Sequence, residues 1–329
     1  MALRKKLGEI LISKNNILWG WERKFYSTEK KSILRSMIEK RIESRAMDYP
    51  IRGMIPVAKD VLKSKNLLIH GVSTLLNFFP IVSCKFCSEV YIGEEGHLIQ
   101  TCCGFKRHGK KLVHEWTVGG LNDLLVPVEA FHLQHMFQNI VKHHERFDLE
   151  RVPAVVELCW QAGADPYDEA LLPRTPSSDG DFSAVDGIKS ITNQDLRSVA
   201  KTTLNAWETL REGVQKLLLV YPAKVCKYCS EIHIGPSGHL ARNCGVFKFQ
   251  SWRGTHFWKK AEVDDLVPPK IVWRRRPQDP PVLLNEGRDF YGHAPAVIDL
   301  CTKAGIVVPT RYNCMMKIQG LARPVQFSE

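Results

Sequence analysis

The sequence lacks an apolar stretch of about 18 residues, the length that a membrane-spanning helix needs. The best apolar candidate, over 67–82, contains His70 and Asn77 and is interrupted by Pro80. Common enzyme signatures are also missing: G-x-x-x-x-G-K-S/T, G-x-S-x-G, H-E-x-x-H, and the combination of H-x-E with P-C-x-x-C found in zinc deaminases. We therefore expect no membrane span, no small-molecule substrate and no enzyme activity.

Acidic residues are scarce at the start of the chain. The first 26 residues contain six Lys and Arg but only Glu9 and Glu22 as acids. Apolar residues recur there at helical spacing, without the long apolar core of a secretory signal, which is typical of an organelle transit peptide. We predict a transit peptide over 1–26 and location in the mitochondrial matrix, with the chloroplast as the alternative compartment. A basic first helix of the folded domain is the competing interpretation.

The composition is that of a folded protein with an anionic partner. The chain has 329 residues, 44% hydrophobic and 25% charged, which is enough for about two domains. Its net charge is +11, and its isoelectric point is near 9.1. This excess favours nucleic acid or a membrane surface as the partner. Ten cysteines in a reducing matrix indicate metal ligands or buried thiols rather than disulfides.

An internal repeat organises the chain. A shift of 142 residues aligns CKFCSEVYIGEEGHLIQTC, over 84–102, with CKYCSEIHIGPSGHLARNC, over 226–244, and eleven of the nineteen positions are identical. The same shift aligns residues upstream and downstream, including PAVVELCWQAG from Pro153 with PAVIDLCTKAG from Pro295. We predict a tandem duplication of a domain-sized unit rather than a solenoid of short repeats.

The repeat sets the expected boundaries and the fold class. We predict an α+β protein in which each copy is a small zinc-stabilised domain consisting of a helix, a Cys3His β-hairpin or knuckle, and a closing helix. The closing helix should begin at a Pro and end at a Gly. The predicted segments after the transit peptide are a basic helical segment, the first repeat, a linker, the second repeat and a tail, at 27–56, 57–170, 171–195, 196–308 and 309–329.

The Cys/His spacing predicts two structural zinc ions. Each copy has C-x-x-C, then nine residues, a His, four residues and a Cys, and zinc prefers four N/S ligands in a tetrahedron. Gly96 and Gly238 would let the backbone turn so that the imidazole reaches the ion. Four protein ligands would close each site to water and substrate, so the ion would support folding. The predicted ligands are Cys84, Cys87, His97, Cys102, Cys226, Cys229, His239 and Cys244.

Several alternatives remain open at this motif. His114 and His256 are also duplicated, and either could replace the histidine inside its motif as the fourth ligand. A C-x-x-C pair could instead form a disulfide, act as a redox pair or be buried as free thiols. The duplicated Cys159 and Cys301 on the closing helices are expected to pack as small hydrophobic residues.

Basic and aromatic residues near the motifs predict contact with RNA. From His239 to Arg276 there are nine Lys and Arg but three acids, with aromatic residues interleaved. Cations neutralise phosphates, and exposed rings stack on unpaired bases. The alternative is that the rings belong to a small zinc-supported core with a solvated basic rim. The candidate RNA-binding residues are Lys106, Arg107, Lys110, Lys111, Trp116, Arg242, Lys248, Trp252, Arg253, Trp258, Arg274, Arg275 and Arg276.

Taken with the doubled motif, the HEW and HFW elements and the PAV–LC–AG segments resemble the plant APO (accumulation of photosystem one) family. The resemblance covers nearly the whole chain after residue 26 and implies an organellar, zinc-binding factor. It further implies RNA binding that promotes group II intron splicing or related transcript maturation, with intron-containing transcripts and other splicing factors as partners. The competing hypothesis is a zinc-dependent protein-interaction scaffold in an organellar complex.

Overall fold

The fold is described from a computed structural model, which covers residues 32–34, 36–37, 40–41, 44, 48–102, 112–138, 141–171, 192–244 and 254–312. The chain divides into two units, Met1–Pro50 and Ile51–Glu329. The described residues between 32 and 44, in the first unit, are helical. The expected transit peptide, nearly all of the linker and most of the tail lie outside the described residues. In the ranges given above, no helix combines the length and the apolar character that crossing a membrane requires.

The second unit contains six α-helices and ten short strands among its described residues, together with 3-10 turns. In chain order these are α1 (Ile55–Leu76), β1 (Ile81–Cys84), β2 (Val90–Ile92), β3 (Trp116–Val118), α2 (Leu121–Leu124), β4 (Glu129–Phe131), β5 (Arg151–Pro153), α3 (Ala154–Gln161), α4 (Asn193–Val220), β6 (Ala223–Cys226), β7 (Ile232–Ile234), β8 (Trp258–Lys260), α5 (Val263–Leu266), β9 (Ile271–Arg274), β10 (Gly292–Pro295) and α6 (Ala296–Lys303).

The long helices α1 and α4 start the two repeats and pack against each other. Thr192 begins α4 as a reciprocal cap: its hydroxyl accepts from the Asp195 amide at 3.2 Å, and the Asp195 carboxylate accepts from the Thr192 amide at 3.1 Å. Pro222, two residues after α4, cannot continue the helix. The helices predicted from apolar spacing are therefore present, and they bury one face each.

A three-stranded antiparallel sheet follows each long helix. Strand β1 pairs with β2 and β3, and β6 pairs with β7 and β8, in the same order. A β-hairpin was expected in each repeat, and the β-prone segments after C-x-x-C are β2 and β7, whereas β1, β3, β6 and β8 were not predicted. We call each sheet with its Cys/His loops a metal module: the first module spans 81–118 and the second spans 223–260.

The closing helices α3 and α6 begin and end as predicted. Pro153 and Pro295 are their N-cap residues. Gly163 and Gly305 follow them with φ of +87° and +84°, a conformation that favours glycine. Each closing helix is preceded by a two-stranded antiparallel pair, β4–β5 or β9–β10, that the sequence pattern did not reveal.

These two strand pairs are exchanged between the repeats. Strand β9 of the second repeat packs on β2 of the first module, and β4 of the first repeat packs on β7 of the second module. Backbone bonds join the same partners: the Leu98 amide donates to the Leu283 carbonyl, and the Leu240 amide donates to the Val141 carbonyl. The core beside the first module mixes both repeats, with Val82, Tyr91 and Ile99 packed against Trp273, Leu283 and Tyr291.

The reciprocal contacts indicate approximate two-fold symmetry between the repeats. The close crossing of α1 and α4 shows this symmetry. A Cβ on Gly71 would lie 2.0 Å from Thr203 Oγ1, and a Cβ on Gly213 would lie 2.3 Å from Val61 Cγ2. Val61 and Thr203 are equivalent under the 142-residue shift, as are Gly71 and Gly213. The duplication therefore gives two interlocked repeats, with each metal module covered by the other repeat.

Candidate metal centres

The first metal module brings three thiols and one imidazole together. Cys84, Cys87, Cys102 and His114 offer ligand atoms that all lie within 4.8 Å of one another. Cys84 ends β1, Cys87 closes the turn that follows it, and His114 precedes β3. The Cys84 and Cys102 sulfurs are 3.8 Å apart, and the Cys87 sulfur is 3.5 Å from His114 Nδ1.

The second metal module repeats this arrangement with Cys226, Cys229, Cys244 and His256. The sulfurs of Cys226 and Cys244 are 4.0 Å apart, and the Cys229 sulfur is 3.3 Å from His256 Nδ1. All six of these cysteines are free thiols rather than disulfides. Two Cys3His clusters that could bind metal ions are therefore present, one in each repeat.

The spacing of the ligand atoms fits a tetrahedral ion. Zinc bonds of about 2.3 Å to sulfur and about 2.0–2.1 Å to nitrogen place two sulfurs about 3.8 Å apart and a sulfur and a nitrogen about 3.5 Å apart. The four distances above lie close to these values in both modules. The donor set and these distances thus suit zinc.

The histidines inside the motifs have other contacts. His97 Nδ1 accepts from the Ile99 amide at 3.2 Å, so its Nε2 carries the proton and donates to Glu89 Oε1 at 3.0 Å. His239 Nδ1 likewise accepts from an amide, that of Ala241, at 3.2 Å. The structure therefore groups the three thiols of each module with the alternative histidine, His114 or His256, and places His97 beside the cluster in contact with Glu89.

Backbone amides favour ionisation of one thiol in each cluster. The Phe86 amide donates to Cys84 Sγ at 3.4 Å, and the Tyr228 amide donates to Cys226 Sγ at 3.5 Å. Burial opposes ionisation of Cys84, but the bonds from the Phe86 and Cys87 amides and the His114 contact outweigh it and lower its pKa to about 6. Burial raises the pKa of the neighbouring Cys87 to about 12. A bound cation would favour the thiolate form of every ligand.

Glu89 connects the first cluster to its surroundings. Its carboxylate accepts from His97, from the Thr101 hydroxyl at 2.9 Å and from Trp273 Nε1 at 2.6 Å. Burial opposes ionisation, but the bonds from His97 and Thr101 outweigh it and lower the pKa of Glu89 to about 2. The Thr101 hydroxyl also lies 2.8 Å from His114 Nε2, so the carboxylate orients the candidate ligand through Thr101.

The second module holds its equivalent carboxylate differently. Glu231 forms an ion pair with Arg151 of the first repeat, and its Oε1 is 3.6 Å from His239 Nε2. Burial again opposes ionisation, but His239 and Arg151 lower the pKa of Glu231 to about 2. Glu89 and Glu231 are equivalent under the 142-residue shift, and this equivalence is the sequence signal for their shared contact with the motif histidines. The residues of one repeat that contact these carboxylates in the other, Trp273 and Arg151, have no corresponding signal in the sequence.

Trp116 and Trp258 pack within the modules. Each indole nitrogen donates to the carbonyl of a motif histidine, from Trp116 to His97 at 3.2 Å and from Trp258 to His239 at 3.1 Å. A Cβ on Gly96 would lie 2.1 Å from the Trp116 ring, so this glycine makes room for the indole. Gly238 has the same role toward Trp258, with φ of +67°. The half-buried indoles therefore support the modules and offer little free ring surface.

The candidate arginines 274–276 differ in accessibility. Arg276 has a side chain only 4% exposed, and it pairs with Asp279 at 2.8 Å. Arg274 is 3.6 Å from the buried Asp299, while Arg275 is exposed and donates to the Pro280 carbonyl. Burial and internal pairing thus remove Arg276, and largely Arg274, from the surface that RNA could reach.

The remaining sequence predictions concern two buried cysteines, one exposed arginine and seven residues outside the described ranges. Cys159 and Cys301 are fully buried in α3 and α6, and burial raises the pKa of both thiols, as expected for packed residues. Arg242 is exposed in the second module, and its amide donates to His143 Nδ1 at 2.9 Å. The candidates outside the described residues are Lys106, Arg107, Lys110, Lys111, Lys248, Trp252 and Arg253.

Comparison with known proteins gives consistent matches. A family model described as APO RNA-binding matches residues 23–176 and 188–323. APO protein 2, chloroplastic, of Arabidopsis thaliana is 35% identical over 308 residues, covering 85% of this chain and 70% of the relative. APO protein 3, mitochondrial, of the same plant is 33% identical over 334 residues, covering 90% of this chain and 83% of the relative. No solved structure matches the chain.

Proposed function

This chain belongs to the APO RNA-binding family, and on that premise we propose that it is a non-catalytic, zinc-stabilised RNA-binding protein of an organelle. The observation that carries the proposal is the pair of Cys3His clusters, which lie at the same place in two matched RNA-binding domains. Tetrahedral clusters with four protein ligands stabilise a fold rather than activate water.

We assign the fourth ligand of each zinc site to His114 and His256. Their Nδ1 atoms lie 3.5 Å and 3.3 Å from a cysteine sulfur, whereas both nitrogens of His97 are engaged elsewhere. In the first module the ion would tie the loop after β2 and the strand β3 to the hairpin β1–β2. In the second module the ion would tie the loop after β7 and the strand β8 to the hairpin β6–β7. Each ion would thus hold together segments that are too short to be stable alone.

The RNA target is proposed to be an intron-containing organellar transcript, and the outcome to be group II intron splicing or related maturation. Binding that is tighter to the folded intron than to competing conformers would shift the RNA toward the folded form. Mitochondrial location is supported by the basic, acid-poor first 26 residues. Relatives named chloroplastic and mitochondrial support an organelle without distinguishing between the two.

The test uses the zinc-loaded full chain and a single-stranded segment of organellar intron RNA. We expect binding that weakens as salt rises, because released counterions drive phosphate contacts. Removal of zinc by a chelator should abolish binding together with the folded state. Salt-independent affinity, or unchanged binding after zinc is lost, would contradict the proposal. Immunoprecipitation of RNA from purified organelles would then identify the compartment and the transcript.

A protein-interaction scaffold remains the second candidate, because one edge of the first module is apolar and exposed. Val118 is 92% exposed, and Leu112 and Val113 are about half exposed. Such neighbouring apolar side chains are typical of protein-binding surfaces. Val118→Asp should release a protein partner from the full chain without changing its RNA affinity, whereas loss of RNA binding alone would refute the scaffold function.

A further inference from the structure

Two exposed aromatic rings lie side by side on the second metal module. Tyr228, in the C-x-x-C turn, is 47% exposed, and Phe257, just before β8, is 57% exposed. Their ring centroids are 6.1 Å apart, with the planes inclined at 61°. The Lys227 amide donates to the Phe257 carbonyl at 2.8 Å, which fixes the turn beside the strand. The rings are therefore held by backbone bonds next to the metal cluster.

One lysine lies beside these rings, and two more face each other elsewhere on the same module. Lys224 and Lys260 are directly opposite each other on β6 and β8, where like charges destabilise a sheet. Lys227 Nζ is 5.8 Å from the centre of the Phe257 ring. Within the described parts of the chain, none of these three lysines forms an ion pair with a carboxylate. Lys227 therefore brings a positive charge to the two exposed rings.

The described residues of the first module carry different side chains at three of the equivalent positions. The positions 142 residues earlier than Lys224 and Lys260 are Val82 and Val118, also paired across the strands. Phe257 is replaced by Glu115, whose carboxylate binds Lys85 at 2.7 Å and neutralises it. The two modules share a fold and a candidate metal cluster but differ in the chemistry of this face.

From this difference we propose that Lys227, Tyr228 and Phe257 form a binding platform for unpaired RNA on the second module. Bases would stack on the two rings, and a backbone phosphate would lie on Lys227. The proposal rests on the RNA-binding function given above and identifies the surface that carries it. Lys224 and Lys260 share the sheet face of Cys226 and Trp258, opposite to that of Phe257, and are not part of the platform.

The experiment measures affinity of the zinc-loaded full chain for a short labelled single-stranded RNA at several salt concentrations. Tyr228→Ala with Phe257→Ala should weaken binding on the order of tenfold for each lost ring, at every salt concentration. Lys227→Ala should reduce the salt slope by about 0.7, the value for one lost phosphate contact. The matched control carries Lys85→Ala and Phe86→Ala in the first module and should bind as the unchanged protein does.

The outcomes separate the platform from the function itself. Suppose that the unchanged protein binds RNA. If the second-module variants then bind equally well, or if the first-module control loses as much affinity as they do, the platform is refuted and the proposed function stands. If the unchanged protein does not bind RNA at all, the proposed function fails first. Zinc content and thermal unfolding of each variant exclude misfolding. Photocrosslinking of thiouridine-substituted RNA gives a second reading: crosslinks should lie at Tyr228 or Phe257, and crosslinks confined to the first module would overturn the platform.

Discussion

At the scale of residues, each repeat contains two histidines that sequence spacing could not distinguish. The ring nitrogens of His97 contact an amide and a carboxylate, whereas His114 presents Nδ1 to Cys87 and Nε2 to Thr101. A metal-bound histidine in proteins usually donates its other nitrogen to such an oxygen, which sets its tautomer. His114 has this arrangement, and the Nε2 of His256 contacts Asn243 in the same way.

Replacing the two histidines of the first module should therefore have different effects. His114→Gln should weaken one of the two metal sites, because a sulfur-rich cluster loses its only imidazole ligand. His97→Gln should leave both sites intact and reduce stability only. Cobalt titration distinguishes the variants, since a changed ligand set moves the visible absorption bands. Altered bands in His97→Gln with unaltered bands in His114→Gln would reverse the assignment.

The buried Arg276 gives a second residue-scale prediction. Removing one member of a buried ion pair leaves the other charge uncompensated, so Arg276→Ala should cost about 3 kcal/mol of unfolding free energy. Arg275→Ala is the matched control, because its side chain is exposed and should change stability by no more than about 0.5 kcal/mol. Denaturant unfolding of the zinc-loaded proteins measures both. Equal stability of the two variants would show that the Asp279 pair contributes little.

At the scale of elements, the crossing of α1 and α4 depends on glycines that allow close approach. Gly71 faces Thr203 and Gly213 faces Val61, and both neighbours are β-branched. A β-branched side chain in a helix has few rotamers with which to move aside. The crossing thus leaves no space for a methyl group at either glycine.

Gly213→Ala should destabilise the protein by about 1–2 kcal/mol, even though alanine is the better helix former. A Cβ there would lie 2.3 Å from Val61 Cγ2, well inside van der Waals contact. Adding Val61→Ala should recover part of the loss, so the two changes should be non-additive in a double-mutant cycle. Gly53→Ala is the control, because nothing lies within 4 Å of a Cβ at that position. A stabilising effect of Gly213→Ala would show that the helices can separate without cost.

At the scale of the whole molecule, the repeats depend on each other. Trp273 of the second repeat donates to Glu89 in the first module, and Arg151 of the first repeat pairs with Glu231 in the second. Phe131 and Trp273, equivalent under the duplication, each pack edge-on against the motif histidine of the other repeat. Each metal module is completed by residues that lie far away in sequence.

Separation of the repeats should therefore prevent folding of a monomeric half. Residues 48–171 and 192–312, produced as separate chains with zinc, should lack a cooperative thermal transition as monomers. Mixing them should restore the transition, because the exchanged strand pairs can then cover both modules. Analytical ultracentrifugation with calorimetry distinguishes monomers from assemblies. Independent cooperative unfolding of either monomeric half would show that the exchange is dispensable.

The sequence by itself determined the duplication, the two Cys/His clusters, the long helices and the closing helices bounded by Pro153 and Gly163. These features depend on local spacing: three thiols in a tight motif, apolar periodicity, and residues with restricted or permissive backbones. The family assignment from the doubled motif was confirmed by the matched model over both repeats.

Only the tertiary structure placed His114, and not His97, together with the three thiols, buried Arg276 and exposed the rings of Tyr228 and Phe257. The choice of ligand depends on which ring nitrogens are already hydrogen-bonded, and these bonds come from residues distant in sequence, such as Thr101 for His114. The exchange of strand pairs could not be predicted from the sequence either. In a duplicated chain, the strand pair of one repeat matches the metal module of its own repeat as well as that of the other. Symmetry leaves that choice to long-range packing, including the crossing of α1 and α4, which no local pattern shows.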